Sequence, residues 1–209
     1  MSGPDVIVIG GSAGGMKALN ELLKTFTNPG NSVVVVALHR PPQDSPLVDV
    51  LRTYTGIPIH EPTDSPWSCS PGTVTVAPAG YHLLVGNDRI PLPQNATRIT
   101  GYETDPNVRV HLSLEAPVAY SRPSLDVAFT SAAELVNSVT AVLLSCANED
   151  GAHGCEVVKA AGGKVVLQDP DSCEAAAAVK AAMRRLAPDH VADPQGIGRW
   201  LSESVGRRA

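Results

Sequence analysis

The chain has 209 residues, a length typical of one large domain, since domains average roughly 150 residues. Lys and Arg number 16 against 21 Asp and Glu, and the net charge of −5 argues against binding that is driven by the charge of nucleic acid or acidic membranes. Glycine and proline number 18 each, against only 2 Phe, 2 Trp and 4 Tyr, so the core must be built mainly from Val, Ala, Leu and Ile.

Two further properties of the sequence bear on location and redox state. No apolar run approaches the ~20 residues that a membrane span requires, and the N-terminal residues lack the positive charges of a signal peptide. We therefore expect a cytoplasmic protein with no membrane insertion. None of the four cysteines lies in a C-x-x-C spacing, and in a reducing compartment we expect them to remain free thiols.

The first part of the chain alternates short apolar runs with helical periodicity. Val6-Ile7-Val8-Ile9 is a continuous apolar run followed by glycine, which predicts a strand buried on both faces. Apolar residues then recur at helical spacing over 16–26, before the breaker Asn28-Pro29-Gly30. A second buried strand is predicted at 33–38, and a further helix from Ser45.

The middle of the chain, about 55–117, has a different residue pattern. Short β-like pieces at 73–77, 82–85 and 108–114 are separated by proline-rich turns, and Gly86-Asn87-Asp88 is typical of a hairpin turn. We therefore predict an antiparallel or loop insertion in this region.

After the insertion the alternation of helices and strands returns. The pattern predicts a helix capped by Ser124, a strand at 141–144, a helix at 151–161, a strand at 165–167, a helix from the cap Ser172 to Leu186, and a short helix from Asp193-Pro194. Strands that alternate with helices imply a parallel sheet covered on both faces. We predict a single α/β domain over 1–209: a doubly wound, mostly parallel, Rossmann-like three-layer α/β/α fold with a small antiparallel β-hairpin insertion.

The segment Gly10-Gly11-Ser12-Ala13-Gly14-Gly15 lies between the first strand and the first helix. A dinucleotide fingerprint requires G-x-G-x-x-G, and its second glycine would fall on Ser12, whose side chain would obstruct a pyrophosphate. A nucleotide-binding module is therefore a minor alternative. The same residues match G-x-S-x-G, in which a sharp turn exposes a serine hydroxyl above the sheet.

The position of Ser12 suits a nucleophile. The helix that follows offers N–H groups and a positive dipole end to an oxyanion, and the backbone N–H of Ala13 is our candidate donor. The competing interpretation is structural, because a serine in such a turn often only caps the helix.

A serine nucleophile needs a base within hydrogen-bond reach and an acid that orients the base. His39 ends the second predicted strand, and Asp150 follows the strand predicted at 141–144. Because the carboxyl ends of parallel strands meet at one edge of a sheet, we expect both residues to lie near Ser12. The chain order serine, histidine, aspartate argues against the α/β-hydrolases, in which the acid precedes the histidine.

Five segments of the chain together carry a resemblance to a known family. They are the run from Val6 to Gly15, the strand that ends in His39, Arg122-Pro123-Ser124-Leu125-Asp126, and Glu149-Asp150-Gly151-Ala152-His153-Gly154 with Gln168-Asp169-Pro170. In these segments the chain resembles the catalytic domain of the CheB protein-glutamate methylesterases, and the resemblance spans nearly its whole length.

The resemblance implies a hydrolase that cleaves glutamyl methyl esters on chemoreceptors and can deamidate some glutamines. Matched motif by motif, it implies that Ser12 attacks the ester carbonyl, His39 removes and later returns the proton, and Asp150 holds the imidazole. The implied partner is a methylated chemoreceptor-like protein. The implied chemistry needs no metal and no organic cofactor, and nucleic acid is not an expected partner.

The chain also departs from the family pattern. Cys146-Ala147 stand where family members usually have a glycine, often followed by methionine or alanine, and residues 174–178 replace an aromatic-Gly-Met-Pro segment. Only four residues precede Asp5, so we expect a stand-alone domain with no N-terminal receiver domain. These departures leave an alternative, a catalytically weak or non-catalytic regulatory member of the same fold in a signalling pathway.

Several residues have competing interpretations. Glu149 is a rival to Asp150 as the acid, and Cys146 is a weaker candidate nucleophile. Cys146, His153 and Cys155 could belong to a zinc site, although a fourth ligand in matching spacing is missing and we predict no metal. Arg122 is our candidate substrate-binding residue, the alternative being an ion pair within the core.

Overall fold

The structure is a computed structural model that describes residues 4–43, 45–87, 107–118, 120–135 and 138–206. The strands in these ranges are β1 (Val6–Gly11), β2 (Val33–Leu38), β3 (Ile59–His60), β4 (Trp67–Ser68), β5 (Val74–Val76), β6 (His82–Gly86), β7 (Arg109–Ser113), β8 (Val139–Leu143), β9 (Lys164–Gln168) and β10 (His190–Ala192). The helices are α1 (Gly15–Thr25), α2 (Leu47–Arg52), α3 (Leu125–Ala133), α4 (Ala152–Ala160), α5 (Ala177–Arg185) and α6 (Pro194–Gly206).

Seven strands form one parallel sheet in the order β10-β9-β8-β1-β2-β5-β3. Its centre is β1, where Val8 lies between Val35 of β2 and Ala141 of β8. Every residue of β1 and β2 is buried, as expected for continuous aliphatic runs between two layers of helices. The predicted doubly wound, mostly parallel α/β fold is confirmed.

The side chains of the central strands alternate between the two faces of the sheet. Ile7 and Ile9 pack in one apolar cluster with α1 and α6, whereas Val6 and Val8 pack in a second cluster with α3, α4 and α5. Each fully buried aliphatic side chain contributes about 1.5–3 kcal/mol of burial free energy. The two clusters therefore hold the strand ends in fixed positions with very few aromatic residues.

The described strands of the predicted insertion, in residues 55–87 and 107–117, divide between two sheets. Strands β4, β7 and β6 form the predicted antiparallel piece, a three-stranded sheet in that order. Strands β3 and β5 differ from the prediction, because they pair in parallel beside β2 and extend the main sheet. Val74 and Val76 of β5 are buried there, in the same cluster as Val34 of β2. The predicted turn Gly86-Asn87-Asp88 reaches into residues outside the described ranges.

The chain after β9 also differs from the prediction. Pro170–Ser172 is a short 3₁₀ turn, and α5 begins at Ala177 rather than behind a cap at Ser172. Between them Cys173 is extended, residues 174 and 175 form a bend, and Ala176 makes a parallel bridge with Cys146 beyond the end of β8. This pairing takes up alanines that helix propensity alone would place in a helix. Strand β10 was not predicted.

Within the described ranges, no helix is both long and apolar enough to cross a bilayer. The four cysteines are free thiols, three of them buried and Cys173 half-buried. The fold therefore depends on its apolar clusters and hydrogen bonds rather than on disulfides.

Candidate active site

Three neighbouring strands bring the three predicted catalytic residues to one edge of the sheet. Ser12 directly follows β1, His39 directly follows β2, and Asp150 lies in the loop after β8. Strands β2 and β8 lie on opposite sides of β1, so the strand order reverses at this point of the sheet. At such a point a crevice opens beyond the carboxyl end of the central strand.

Ser12 begins the tight turn that joins β1 to α1. Its N–H donates to the carbonyl of Ser145 at 2.9 Å, and its own carbonyl accepts from the N–H of Gly15 at 2.7 Å. The chain turns at Gly14, which has a left-handed φ of 74° and whose Cβ, if present, would lie 2.5 Å from Cβ of Glu174. Glycine is therefore required here for both conformation and space.

His39 is the residue at which β2 leaves the sheet. Its backbone N–H donates to the carbonyl of Gly11 at 3.0 Å, which continues the ladder between the two strands. Its imidazole Nε2 lies 2.7 Å from Oδ2 of Asp150, and the side chain of His39 is only 10% exposed. The ring thus bridges the ends of β2 and β8, which β1 separates.

The carboxylate of Asp150 is fully buried and accepts four hydrogen bonds. Oδ1 accepts from the Ser124 hydroxyl at 2.9 Å and from the Asp126 N–H at 3.0 Å, and Oδ2 accepts from the Leu125 N–H at 2.8 Å and from His39. Burial raises the pKa of Asp150, but these hydrogen bonds outweigh it and hold the pKa below its ordinary value. Asp150 is therefore ionised at neutral pH.

The ionised carboxylate determines the tautomer of His39. Because a carboxylate only accepts hydrogen bonds, Nε2 of His39 must carry the proton that it shares with Asp150. In the neutral ring Nδ1 is then the acceptor nitrogen, and it lies 3.1 Å from Oγ of Ser121, whose hydroxyl donates to it. Both ring nitrogens have partners, and the second partner is Ser121 rather than Ser12.

Asp126 and Asp150 anchor each other's helices. Oδ1 of Asp126, in the first turn of α3, accepts from the N–H groups of Gly151 at 2.9 Å and Gly154 at 2.7 Å, at the start of α4. Asp150 directly precedes this start of α4 and accepts in turn from N–H groups at the start of α3. Burial raises the pKa of Asp126, and the nearby charge of Asp150 adds to this rise. The paired carboxylates fix where the two helix N-termini meet, and so where Asp150 stands.

Two rival residues are poorly suited to the roles considered for them. Glu149 is exposed and pairs with Arg184 at 2.8 Å, so it does not face His39. Burial raises the pKa of the Cys146 thiol, which lies 3.0 Å from Oδ1 of Asn148 and is also hydrogen-bonded by the Ser12 side chain. A protonated thiol is a weak nucleophile.

The residues of the alternative zinc site do not converge. Cys146 and Cys155 are fully buried, whereas His153 has a side chain that is 60% exposed and lies 3.6 Å from Glu156. Within the described ranges, no three His, Cys, Asp or Glu side chains are grouped so that they could hold a metal ion.

Arg122 and Ala13 remain predicted site residues. Nη1 of Arg122 donates to the carbonyls of Leu114 at 2.9 Å and Glu115 at 3.0 Å, and the residue also lines a cavity beside His39. Ala13 directly follows Ser12 and starts the turn into α1. Because the N–H of Ser12 is engaged within the fold, Ala13 remains the candidate oxyanion donor.

Two cavities flank His39. One, of about 260 Å³, has mainly apolar walls that include Ser12, Met16 and Val50. The other, of about 450 Å³, is lined by residues that include Tyr120, Ser121 and Arg122. Arg40 borders both cavities, is 9% exposed at its side chain and pairs with Glu61. The candidate base therefore lies between a cavity that contains Ser12 and a cavity that contains Ser121.

Sequence reasoning missed two parts of the site, the contacts of Ser124 and Asp126 with the Asp150 loop and the contact of Ser121 with His39. The first had a signal, since Ser124 and Asp126 flank the start of a predicted helix, where such residues accept from free N–H groups. Ser121 had none, because nothing in the sequence pattern brings a loop residue to His39, 82 positions earlier.

Known proteins with similar sequences point to the same family. The sequence profile of the family described as CheB methylesterase matches residues 7–201. A protein of Leptospira interrogans is 32% identical over 189 residues, which are 90% of this chain and 88% of that protein. A Trichodesmium erythraeum protein, described as protein-glutamate methylesterase/protein-glutamine glutaminase, is 31% identical over 170 residues, which are 80% of this chain and 44% of that protein.

A solved structure gives the same result at the level of the fold. The crystal structure of the Thermotoga maritima CheB methylesterase catalytic domain matches with a TM-score of 0.82 at 26% sequence identity. The match covers 98% of this chain and 100% of that chain. The similarity therefore includes the edge of the sheet where Ser12, His39 and Asp150 lie.

Proposed function

Because the chain belongs to the CheB methylesterase family, we propose that it hydrolyses glutamyl methyl esters of a protein substrate, with Ser12 as nucleophile, His39 as base and Asp150 as the acid that orients the base. The observation that carries the assignment is the 2.7 Å hydrogen bond between His39 and Asp150, at the edge of the sheet where Ser12 follows β1. The enzyme is a carboxylic-ester hydrolase.

In the first half of the reaction, Oγ of Ser12 attacks the ester carbonyl and Nδ1 of His39 accepts the serine proton. The imidazolium that forms is stabilised by the ionised carboxylate of Asp150. When the tetrahedral intermediate collapses, the bond to the methoxy oxygen breaks and His39 gives its proton to that oxygen. Methanol leaves, and the glutamyl group remains on Ser12 as an ester.

In the second half, water replaces methanol. Nδ1 of His39 accepts a proton from water, whose oxygen attacks the acyl-enzyme, and His39 then returns the proton to Oγ of Ser12. The products are the glutamate side chain and the free serine. The N–H of Ala13, in the turn before α1, is the proposed donor to the oxyanion in both halves.

The same acyl-enzyme can form from a glutamine side chain, which is the proposed second activity. In that case His39 protonates the amide nitrogen, and ammonia leaves in place of methanol. We also propose that the substrate is a methylated chemoreceptor-like protein, since relatives in the family are described as acting on protein glutamate and glutamine.

One observation favours the alternative of a weak or non-catalytic member of the family. Nδ1 of His39, which must accept the serine proton, is hydrogen-bonded to Ser121. Attack by Ser12 therefore requires Nδ1 to change its partner. If this exchange does not occur, the fold is a binding or regulatory domain.

The test is release of methanol from a methylated receptor fragment or a glutamyl methyl ester peptide. The wild type should release methanol, and Ser12→Ala should lower kcat by several orders of magnitude, about 10⁶-fold where a triad serine is removed. A Ser12→Ala variant that folds and retains the wild-type rate would exclude Ser12 as the nucleophile. A wild type without turnover would favour the regulatory alternative.

A further inference from the structure

The loop over His39 is built as a strap that spans residues 114–118 and 120–122. Its two ends are tied to each other, because Nη1 of Arg122 donates to the carbonyls of Leu114 and Glu115. It is attached to the rest of the fold at Ala116, whose carbonyl lies 3.1 Å from Nε2 of His82. His82 is 2% exposed and its Nδ1 accepts from the N–H of Ser124, so this attachment belongs to the core.

Within the strap, a tight turn brings Ser121 to His39. Val118 and Ser121 exchange two backbone hydrogen bonds, of 3.2 and 2.9 Å, which close the turn. Tyr120 has a φ of 65°, a left-handed conformation that costs free energy in any residue other than glycine, and its side chain is fully exposed. A turn that keeps such a residue over the site is held by its surroundings rather than by its own preference.

The contact that results joins a hydroxyl, an imidazole and a carboxylate in series. Ser121 Oγ donates to Nδ1 of His39, and Nε2 of His39 donates to Asp150. The order of hydroxyl, imidazole and carboxylate is the one that a nucleophilic serine makes with its base, with the two ring nitrogens exchanged. Ser121, however, belongs to a strap, whereas Ser12 lies in the turn that leads into an 11-residue helix. The hydroxyl that holds the base and the hydroxyl suited to attack are therefore different ones.

We propose that Ser121 is a positioning residue that holds His39 in a resting orientation, and that it must release Nδ1 before Ser12 can be activated. This inference rests on the proposed function of Ser12. The 450 Å³ cavity lined by both Ser121 and His39 gives a substrate group or water access to the Ser121 hydroxyl. When Ser121 releases Nδ1 of His39, its hydroxyl exchanges that hydrogen bond for one to the substrate group or water.

The expected change in the acylation rate follows from the free-energy contribution of one hydrogen bond. A net contribution of about 0.5–1.5 kcal/mol corresponds to a factor of about two to ten in the population of the resting orientation. Ser121→Ala should therefore increase the rate at which Ser12 becomes acylated by about two- to tenfold. Ser121→Thr retains a hydroxyl and should stay within about twofold of the wild type.

The experiment measures the second-order rate constant for covalent labelling by a fluorophosphonate probe. Its matched control is Ser113→Ala, because Ser113 ends β7 beside the strap and its Oγ accepts from the Glu115 N–H rather than contacting His39. Ser113→Ala should label at the wild-type rate. Equal acceleration in Ser121→Ala and Ser113→Ala would overturn the proposal, since the effect would then be a general loosening of the strap.

Two other outcomes would overturn the inference. A rate in Ser121→Ala equal to that of the wild type, with labelling abolished in Ser12→Ala, would remove the role of Ser121 and leave the proposed function intact. Loss of labelling in Ser121→Ala, with labelling retained in Ser12→Ala, would make Ser121 the nucleophile and remove both proposals.

A spectroscopic measurement tests the hydrogen bond without any turnover. In ¹⁵N-histidine-labelled protein, the Nδ1 resonance of His39 should move towards that of a free, unprotonated ring nitrogen in Ser121→Ala. In Ser121→Thr and Ser113→Ala it should stay at the wild-type position. An Nδ1 resonance that is the same in the wild type and in Ser121→Ala would contradict the proposal whether or not Ser12 is the nucleophile.

Discussion

Nε2 of His39 lies 2.7 Å from Oδ2 of Asp150, although 111 positions separate the two residues along the chain. Neither residue moves freely, because His39 continues the ladder of β2 and the carboxylate of Asp150 is held at the N-terminus of α3. The candidate base and the carboxylate that orients it are thus held by the sheet and a helix, which is the preorganisation that general-base catalysis requires.

The first prediction concerns the charge of Asp150. Asp150→Asn keeps the size of the side chain but removes the carboxylate that selects the His39 tautomer, so ester turnover should fall by about 10⁴-fold. Glu149→Gln is the matched control, because Glu149 is exposed and faces Arg184, and it should leave turnover unchanged. The measurement is kcat for methanol release. An Asp150→Asn variant within tenfold of the wild type would show that this carboxylate does not support His39 in the reaction.

The second prediction concerns stability at low pH. The fold lowers the pKa of Asp150, whereas in the unfolded chain it should be about 3.9. The stabilisation from this difference is fully present above about pH 4 and is lost as the pH falls through the lower, folded-state pKa. Urea denaturation over a pH series should show a loss of unfolding free energy in this range that is smaller in Asp150→Asn. Equal pH dependence in both proteins would contradict the lowered pKa.

The third prediction concerns the glycine that follows Asp150. Gly151 has a φ of 94°, and a Cβ there would lie 2.8 Å from Cδ1 of Leu143 and 3.1 Å from Cβ of Leu125. Gly151→Ala should lower the unfolding free energy by about 1–3 kcal/mol and also displace Asp150, which reduces turnover.

Gly162→Ala provides the control for this substitution. Gly162 has a similar φ of 87°, but its Cβ would meet nothing within 4 Å. Gly162 follows the C-terminal end of α4, whereas Asp150 precedes the N-terminal end, so Gly162→Ala should lose stability and keep its activity. Equal turnover in the two alanine variants would show that the space around Gly151 does not position Asp150.

The fourth prediction separates two roles of Arg122. As a substrate-binding residue, Arg122→Gln should raise KM by about tenfold, the equivalent of roughly 1.4 kcal/mol of binding, with kcat within twofold. Arg122→Lys, which keeps the positive charge, should raise KM less. An Arg122→Gln variant with a lower Tm but an unchanged KM would show that Arg122 only anchors the strap, through the carbonyls of Leu114 and Glu115.

The sequence predicted the sheet because its central strands have a simple chemical pattern. Runs such as 33–38 contain nothing but aliphatic residues, and only a strand buried on both faces accommodates them. The family resemblance, read from the glycine turn, the strand ending in His39 and the Asp150 loop, is likewise confirmed. Placement of His39 and Asp150 at one edge followed from the rule that parallel strands end together.

The errors arose where tertiary contacts override local preference. The alanine-rich run before α5 forms a bridge from Ala176 to Cys146 just beyond β8. The parallel sheet is longer than predicted because β5 pairs with the open edge of β2 and β3 pairs with β5. The contact between Ser121 and Nδ1 of His39 was missed for the same reason. It depends on a turn at Tyr120 that local preference disfavours and that contacts in three dimensions maintain.

The central claim, that Ser12 is the nucleophile activated by His39 and Asp150, is tested most directly by locating the covalent adduct. The wild-type protein is treated with a fluorophosphonate, digested, and the modified residue is identified by mass spectrometry, with Ser12→Ala and Asp150→Asn alongside. The account predicts a single adduct on Ser12, none in Ser12→Ala and strongly slowed labelling in Asp150→Asn. An adduct on Ser121, or on any residue of Ser12→Ala at the wild-type rate, would contradict it.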